Sequence, residues 1–105
     1  MTFDDRKNEF ENRYAHDAEL KFRIEARRNK LLGLWAAEKM GRSGADADAY
    51  AMEVVKADLA SHGEEDVYAK VHGDFAAAGV QQSEHQIRRQ MAELLIEAEA
   101  QVRAA

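Results

Sequence analysis

The sequence predicts an all-α protein, a four-helix bundle whose first helix extends into a long, partly mobile N-terminal arm. Three observations carry this. Proline is absent from the 105 residues and Ala, Glu, Lys, Arg, Gln and Leu dominate, so helix propensity is favourable nearly throughout. Glycines punctuate the chain at Gly41–Gly44, Ser61–Gly63 and Ala77–Ser83, and three helix stops followed by starts make four helices. Apolar residues then recur at helical spacing between the breaks.

The first helix is predicted between Thr2 and Met40, with Thr2 and Asp5 at capping-box spacing. Its core face is Leu20, Ile24, Leu31, Leu32, Trp35 and Met40, and Gly33 allows a close approach by a neighbouring helix. A continuous helix of that length runs roughly 57 Å at 1.5 Å per residue, against roughly 30 Å for a compact body of this size. Its first half must therefore overhang or fold back. That half carries only a thin aromatic stripe, Phe3, Phe10 and Tyr14, interrupted by Asp17 and Lys21, so it cannot be a full core face. Residues 1–19 are accordingly set apart as an arm, either a frayed terminus or a segment that orders in a partner's groove, and residues 20–105 form the bundle.

The second helix starts at a Ser43–Asp46 box and presents Ala47, Tyr50, Ala51, Val54, Val55 and Leu59. The third presents Val67, Tyr68, Val71 and Phe75 behind three acids, Glu64, Glu65 and Asp66, that suit the positive end of a helix dipole. The fourth starts at a Ser83–Gln86 box and presents Ile87, Met91, Leu94, Leu95, Ala98 and Val102.

Composition excludes several function classes. The absence of cysteine removes disulfides and thiolate metal sites. No apolar run approaches the roughly 20 residues that span a bilayer, and MTFDDRKNEFENR lacks the apolar segment of a signal peptide, so a cytoplasmic protein without direct membrane insertion is expected. A net charge of -5 argues against nucleic acid as a partner. Charge is unevenly spread: residues 1–30 hold eight Lys/Arg against seven Asp/Glu, and the remainder seven against thirteen. Within Lys21–Lys30 five cations face a single acid, forming a basic collar.

No catalytic constellation is visible, and the chain is expected not to be an enzyme. His16, His62, His72 and His85 sit in separate segments with no i, i+4 pair, so no metal site is expected. Asp46 and Asp48 open like a calcium loop, but Tyr50 and Ala51 stand where a ligand and a glycine are required. The GRSG turn lacks the spacing and the Lys-Ser/Thr pair of a phosphate loop. Arg42 and Ser43 at a helix start, with Lys39 nearby, remain candidates for holding a phosphate.

Longer motifs go further. FDDR (Phe3–Arg6), YAHDAEL (Tyr14–Leu20), EARRNKLLGLWAAEKMG (Glu25–Gly41), AYAMEVVKAD (Ala49–Asp58) and GEEDVYAKV (Gly63–Val71) resemble, in order and spacing, the zeta subunit family of alphaproteobacterial ATPase inhibitors. The resemblance covers residues 3–75 well and the last helix in pattern. It implies an intrinsic inhibitor of the F-type ATP synthase, monomeric when free and peripheral to the inner membrane through the synthase. The N-terminal helix would enter a catalytic interface of the head, formed by alpha, beta and gamma subunits, and block hydrolysis and rotation. Carried onto this chain, the inhibitory arm offers Phe3, Asp4, Asp5, Arg6, Lys7, Phe10, Arg13 and Tyr14 to the partner, while Trp35 belongs to the core and Arg27, Arg28 and Lys30 face outward. The resemblance also implies an alternative, a regulatory module that binds adenine nucleotide without inhibiting. ADP or ATP would then be its ligand, with no cofactor required, and Arg27, Arg28, Lys30, Lys39, Arg42 and Ser43 are the residues to hold it.

Overall fold

The computed structural model describes the backbone of residues 3–61 and 63–105, and the side chains of residues 16–59 and 63–105. It has four helices, α1 (Phe3–Lys39), α2 (Gly44–Ser61), α3 (Glu64–Ala78) and α4 (Glu84–Ala104), with no strand among the described residues. All three glycine-marked breaks fall where the sequence places them. The side chains of Phe3, Asp4, Asp5, Arg6, Lys7, Phe10, Arg13 and Tyr14 lie outside the described residues, as do Thr2 and His62.

Two of the helices stop in the same way. Gly41 (φ 78°) follows α1, with the Arg42 N–H donating to the Ala37 carbonyl at 2.8 Å and the Gly41 N–H to that of Glu38 at 3.1 Å. Gly79 (φ 73°) follows α3, with the Val80 N–H donating to Phe75 at 2.9 Å and the Gly79 N–H to Ala76 at 3.3 Å. Both are Schellman caps, which need a left-handed residue that glycine adopts without a Cβ penalty. At the start of α4 the expected capping box is complete: the Gln86 N–H donates to Ser83 Oγ, and the Ser83 N–H to Gln86 Oε1. The Ser43–Asp46 box does not form among the described residues. Gly44 instead opens α2 at φ 56°, and the Ala47 N–H reaches the Ser43 carbonyl at 3.4 Å.

Within the bundle α1 is flanked by α2 and α4, whose backbones have no Cα pair within 8 Å of one another, and α3 closes the far side between them. Gly33 sets the α1–α2 approach. A Cβ there would sit 2.5 Å from the Ala51 Cα and 3.3 Å from Val54 Cγ2, so only glycine lets these backbones meet. The core is Leu32, Ala36 and Ala37 of α1, Tyr50 and Val54 of α2, Val67, Val71 and Phe75 of α3, and Ile87, Met91 and Leu94 of α4. Trp35 is half-buried and lies edge-on to Phe75, with ring centroids 5.6 Å apart.

Three expectations are corrected. Leu59 and Leu95 belong to the predicted stripes but are 49% and 36% exposed, because α3 begins only at Glu64 and leaves that end of the bundle uncovered. Arg28 is not on the outward face: it is 4% exposed, beside the fully buried Asn29. The cause is the helical repeat. Stepping back from Leu32 and Ala36 by four reaches Arg28, and from Gly33 by four reaches Asn29, so both share the core-facing side of α1. Arg28 Nε donates to Asn29 Oδ1 at 2.7 Å, and Arg28 Nη1 stands 3.5 Å from the carboxylate of Glu64 at the start of α3.

A groove between α1, α2 and α4

The gap between α2 and α4 leaves one flank of α1 open, and a groove of about 410 Å³ forms there. Its floor is apolar, from Phe22 and Ala26 of α1, Met52 and Val55 of α2, and Val102 of α4. Its rim holds three cations of α1, Arg23, Arg27 and Lys30. The spacing explains their alignment, because i, i+4 and i+7 fall on one helix face and span about 10 Å along the axis. All three are exposed, none is in an ion pair among the described residues, and no Asp or Glu lines the groove. In a chain of net charge -5 this is a concentrated positive strip over an apolar floor.

Of the six residues predicted to hold a nucleotide, only Arg27 and Lys30 are brought together here. Arg28 is turned into the core and lines a separate cleft with Glu25, Asp58 and Glu64. Lys39 lies twelve residues beyond Arg27 on the same helix, about 18 Å along its axis, beside Trp35 and Arg89. Arg42 stacks over the Tyr50 ring at 5.1 Å, and Ser43 is exposed in the turn. Arg23 is the rim residue that sequence reasoning missed. The signal was present in its spacing from Arg27 and Lys30.

Other polar clusters tie helices together. The Tyr50 hydroxyl donates to Asp74 Oδ2 at 2.8 Å, joining α2 to α3, and Lys70 Nζ, one turn back on α3, donates to the same oxygen at 3.0 Å. Burial first, and then the hydrogen bond to Asp74, raises the pKa of the Tyr50 hydroxyl well above its ordinary value. The folded state therefore keeps a proton that the unfolded chain loses near pH 10, so this part of the stability is intact below that pH and declines as pH rises through it. Replacing Tyr50 by Phe is expected to cost about 1 kcal/mol at neutral pH, for the lost hydrogen bond, and to flatten the fall in melting temperature above about pH 10. Denaturant unfolding at neutral pH and thermal melts between about pH 8 and 11, on both proteins, measure this.

Between α3 and α4, Arg88 bonds to Glu65 at 3.0 Å and to Glu84 at 2.9 Å, and it covers the Tyr68 ring at 4.1 Å. The carboxylates of Glu65 and Glu84 hold its guanidinium in the charged form. Among the described residues no group of three His, Asp or Glu side chains is placed to hold a metal ion, and His16, His72 and His85 are exposed. No described helix is long and apolar enough to cross a membrane.

Comparison with curated proteins finds no match. A protein of known solution NMR structure is similar to this chain: it is 47% identical, with a TM-score of 0.72, over 81% of this chain and 96% of that one. The fold is thus shared over the matched part of the chain. The model of the family of ATPase inhibitor subunit zeta matches residues 1–101, from before α1 into the last turns of α4, and the chain belongs to that family.

Proposed function

We propose that this chain is an inhibitor subunit of an F-type ATP synthase, acting through the N-terminal part of α1. Residues 1–19, mobile in the free protein, order as a helix in a catalytic interface of the synthase head. Phe3, Phe10 and Tyr14 supply buried area, and Asp4, Asp5, Arg6, Lys7 and Arg13 pair with charges of the alpha, beta and gamma subunits. A helix wedged there stops hydrolysis and rotation without any chemistry of its own. The free protein is a monomer in the cytoplasm, and the synthase brings it to the membrane. The observation that carries the reading is the family match, which includes the arm.

For the alternative reading, a module that binds ADP or ATP, two of the six predicted residues come together. Arg27 and Lys30 share the groove with Arg23, whereas Arg28, Lys39, Arg42 and Ser43 do not converge with them. ADP or ATP, if bound by the bundle, would meet its phosphates there.

Titrating ATP hydrolysis by the purified cognate head with the full chain, and in parallel with residues 20–105, tests the inhibitor reading. Inhibition by the full chain and none by the shortened one is the expected result. Equal inhibition by both would move the function into the bundle, and inhibition by neither would remove it.

A further inference from the structure

We infer that the groove between α1, α2 and α4 is a second docking surface for the ATPase head, which receives an acidic segment presenting one or two apolar side chains. The inference rests on the inhibitor reading. Three observations point to a protein segment. Phe22 and Met52, at the groove, are 52% and 47% exposed, and adjacent exposed side chains of this size mark interaction surfaces. Arg23, Arg27 and Lys30 form a rim of three cations with no Asp or Glu side chain among the lining residues and only the carboxylate of the terminal Ala105 beside them, so the complementary occupant carries Asp or Glu beside its apolar anchors. The groove wall is also part of the inhibitory helix itself: Phe22 follows Tyr14 by eight residues, about 12 Å along α1. A head subunit that grips the arm is therefore carried to the edge of the groove.

A nucleotide fits this place less well. Small-ligand sites enclose most of their ligand, whereas here Phe22 and Met52 are each about half open to solvent. The cations also project from the middle of a helix, where backbone amides are already bonded within the helix and no free N–H group is left to cradle a phosphate.

The two surfaces have separable roles. The arm blocks rotation, and the groove raises affinity by making the arm's insertion effectively intramolecular once the bundle is docked. The test uses the full chain with Arg23→Glu, Arg27→Glu and Lys30→Glu combined, and a second variant, Phe22→Ser. A control reverses Lys39, Arg42 and Arg89, three exposed cations outside the groove, to match the change in net charge. Binding to the purified head and inhibition of hydrolysis are measured at low and high salt. Both groove variants are expected to raise the half-inhibitory concentration at least tenfold while maximal inhibition stays complete, and the control is expected to leave it within about threefold. The salt dependence of binding is expected to shrink in the triple variant.

Unchanged half-inhibitory concentrations in the groove variants, with a wild-type chain that inhibits, would overturn the docking surface and leave the inhibitor reading standing. An equal loss in the control would reduce the effect to net charge and overturn it as well. Saturable shifts of Phe22 and Met52 resonances with ADP, alongside unaltered head binding by the variants, would make the groove a nucleotide site. A concentration-dependent dimer abolished by Phe22→Ser would make it a self-association surface. Failure of the wild-type chain to bind or inhibit the head would remove both readings together.

Discussion

Replacing Phe3, Phe10 and Tyr14 together by alanine is expected to abolish inhibition of ATP hydrolysis while the melting temperature of the free protein changes by no more than a few degrees. The three residues fall at i, i+7 and i+11, one stripe along the arm, and the positions between them are mostly charged. Aromatic anchors at protein interfaces commonly contribute about 2 kcal/mol or more each, so losing three weakens binding by well over a hundredfold. On the proposed reading the three side chains are free of the bundle until the partner binds, and changes outside a packed core usually alter stability by about 0.5 kcal/mol or less each. Steady-state hydrolysis and a circular-dichroism melt on the same samples check both halves. A fall of ten degrees or more would mean that the aromatics pack against their own bundle, and the free arm would have to be abandoned.

Most of the fold was legible because the chain punctuates itself. With proline absent, glycine marks the stops: Gly41 and Gly79 occupy left-handed caps that few other residues adopt. Ser83 and Gln86 announced the start of α4, and Gly33 announced the tight α1–α2 contact, since a glycine inside a strong helix pattern has few other uses. What escaped was decided by element length and phase. Leu59 and Leu95 have the right spacing for a core, but the stripe continues past the point where α3 begins, and periodicity does not say where a neighbour ends. Arg28 and Asn29 have the wrong chemistry for a core, yet their phase with Leu32, Gly33 and Ala36 buries them. Phase overrode polarity there, with the paired hydrogen bond and Glu64 offsetting part of the desolvation.

The same reasoning explains how far the candidate site could be read. A basic collar is plain in Lys21–Lys30, but its cations divide by helical phase. Arg28 turns inward, Lys21 pairs with Glu25 at 4.0 Å, and Arg23, Arg27 and Lys30 align on the groove. One cluster in the sequence therefore becomes three environments in the fold. The apolar floor beneath the rim depends on α2 and α4 standing apart, which no local pattern records.

The largest expected loss of stability follows from the way α3 is held. This helix has 15 residues and buries one stripe, Val67, Val71 and Phe75, against the other three helices. Its remaining ties to the other helices include polar, partly exposed ones: Tyr50 to Asp74, Lys70 to Glu53, Arg28 to Glu64 and Arg88 to Glu65. Phe75 is 1% exposed and supplies the edge-on contact with Trp35, so it anchors the end of α3 beside the Gly79 cap. Phe75→Ala removes that anchor and leaves a cavity between α3 and α1, at a cost of about 3–5 kcal/mol. For a domain of this size the melting temperature falls by roughly 15–30 °C. The damage is expected to be uneven. Hydrogen exchange in α3 should accelerate beyond that in α1 and α2, whose contact at Gly33 and Ala51 does not involve Phe75. Below its melting temperature the variant keeps the inhibitory arm on an intact α1, so its maximal inhibition of the head should remain near that of the parent chain. Uniform acceleration of exchange across all four helices would instead show that α3 and the α1–α2 pair unfold as a single unit.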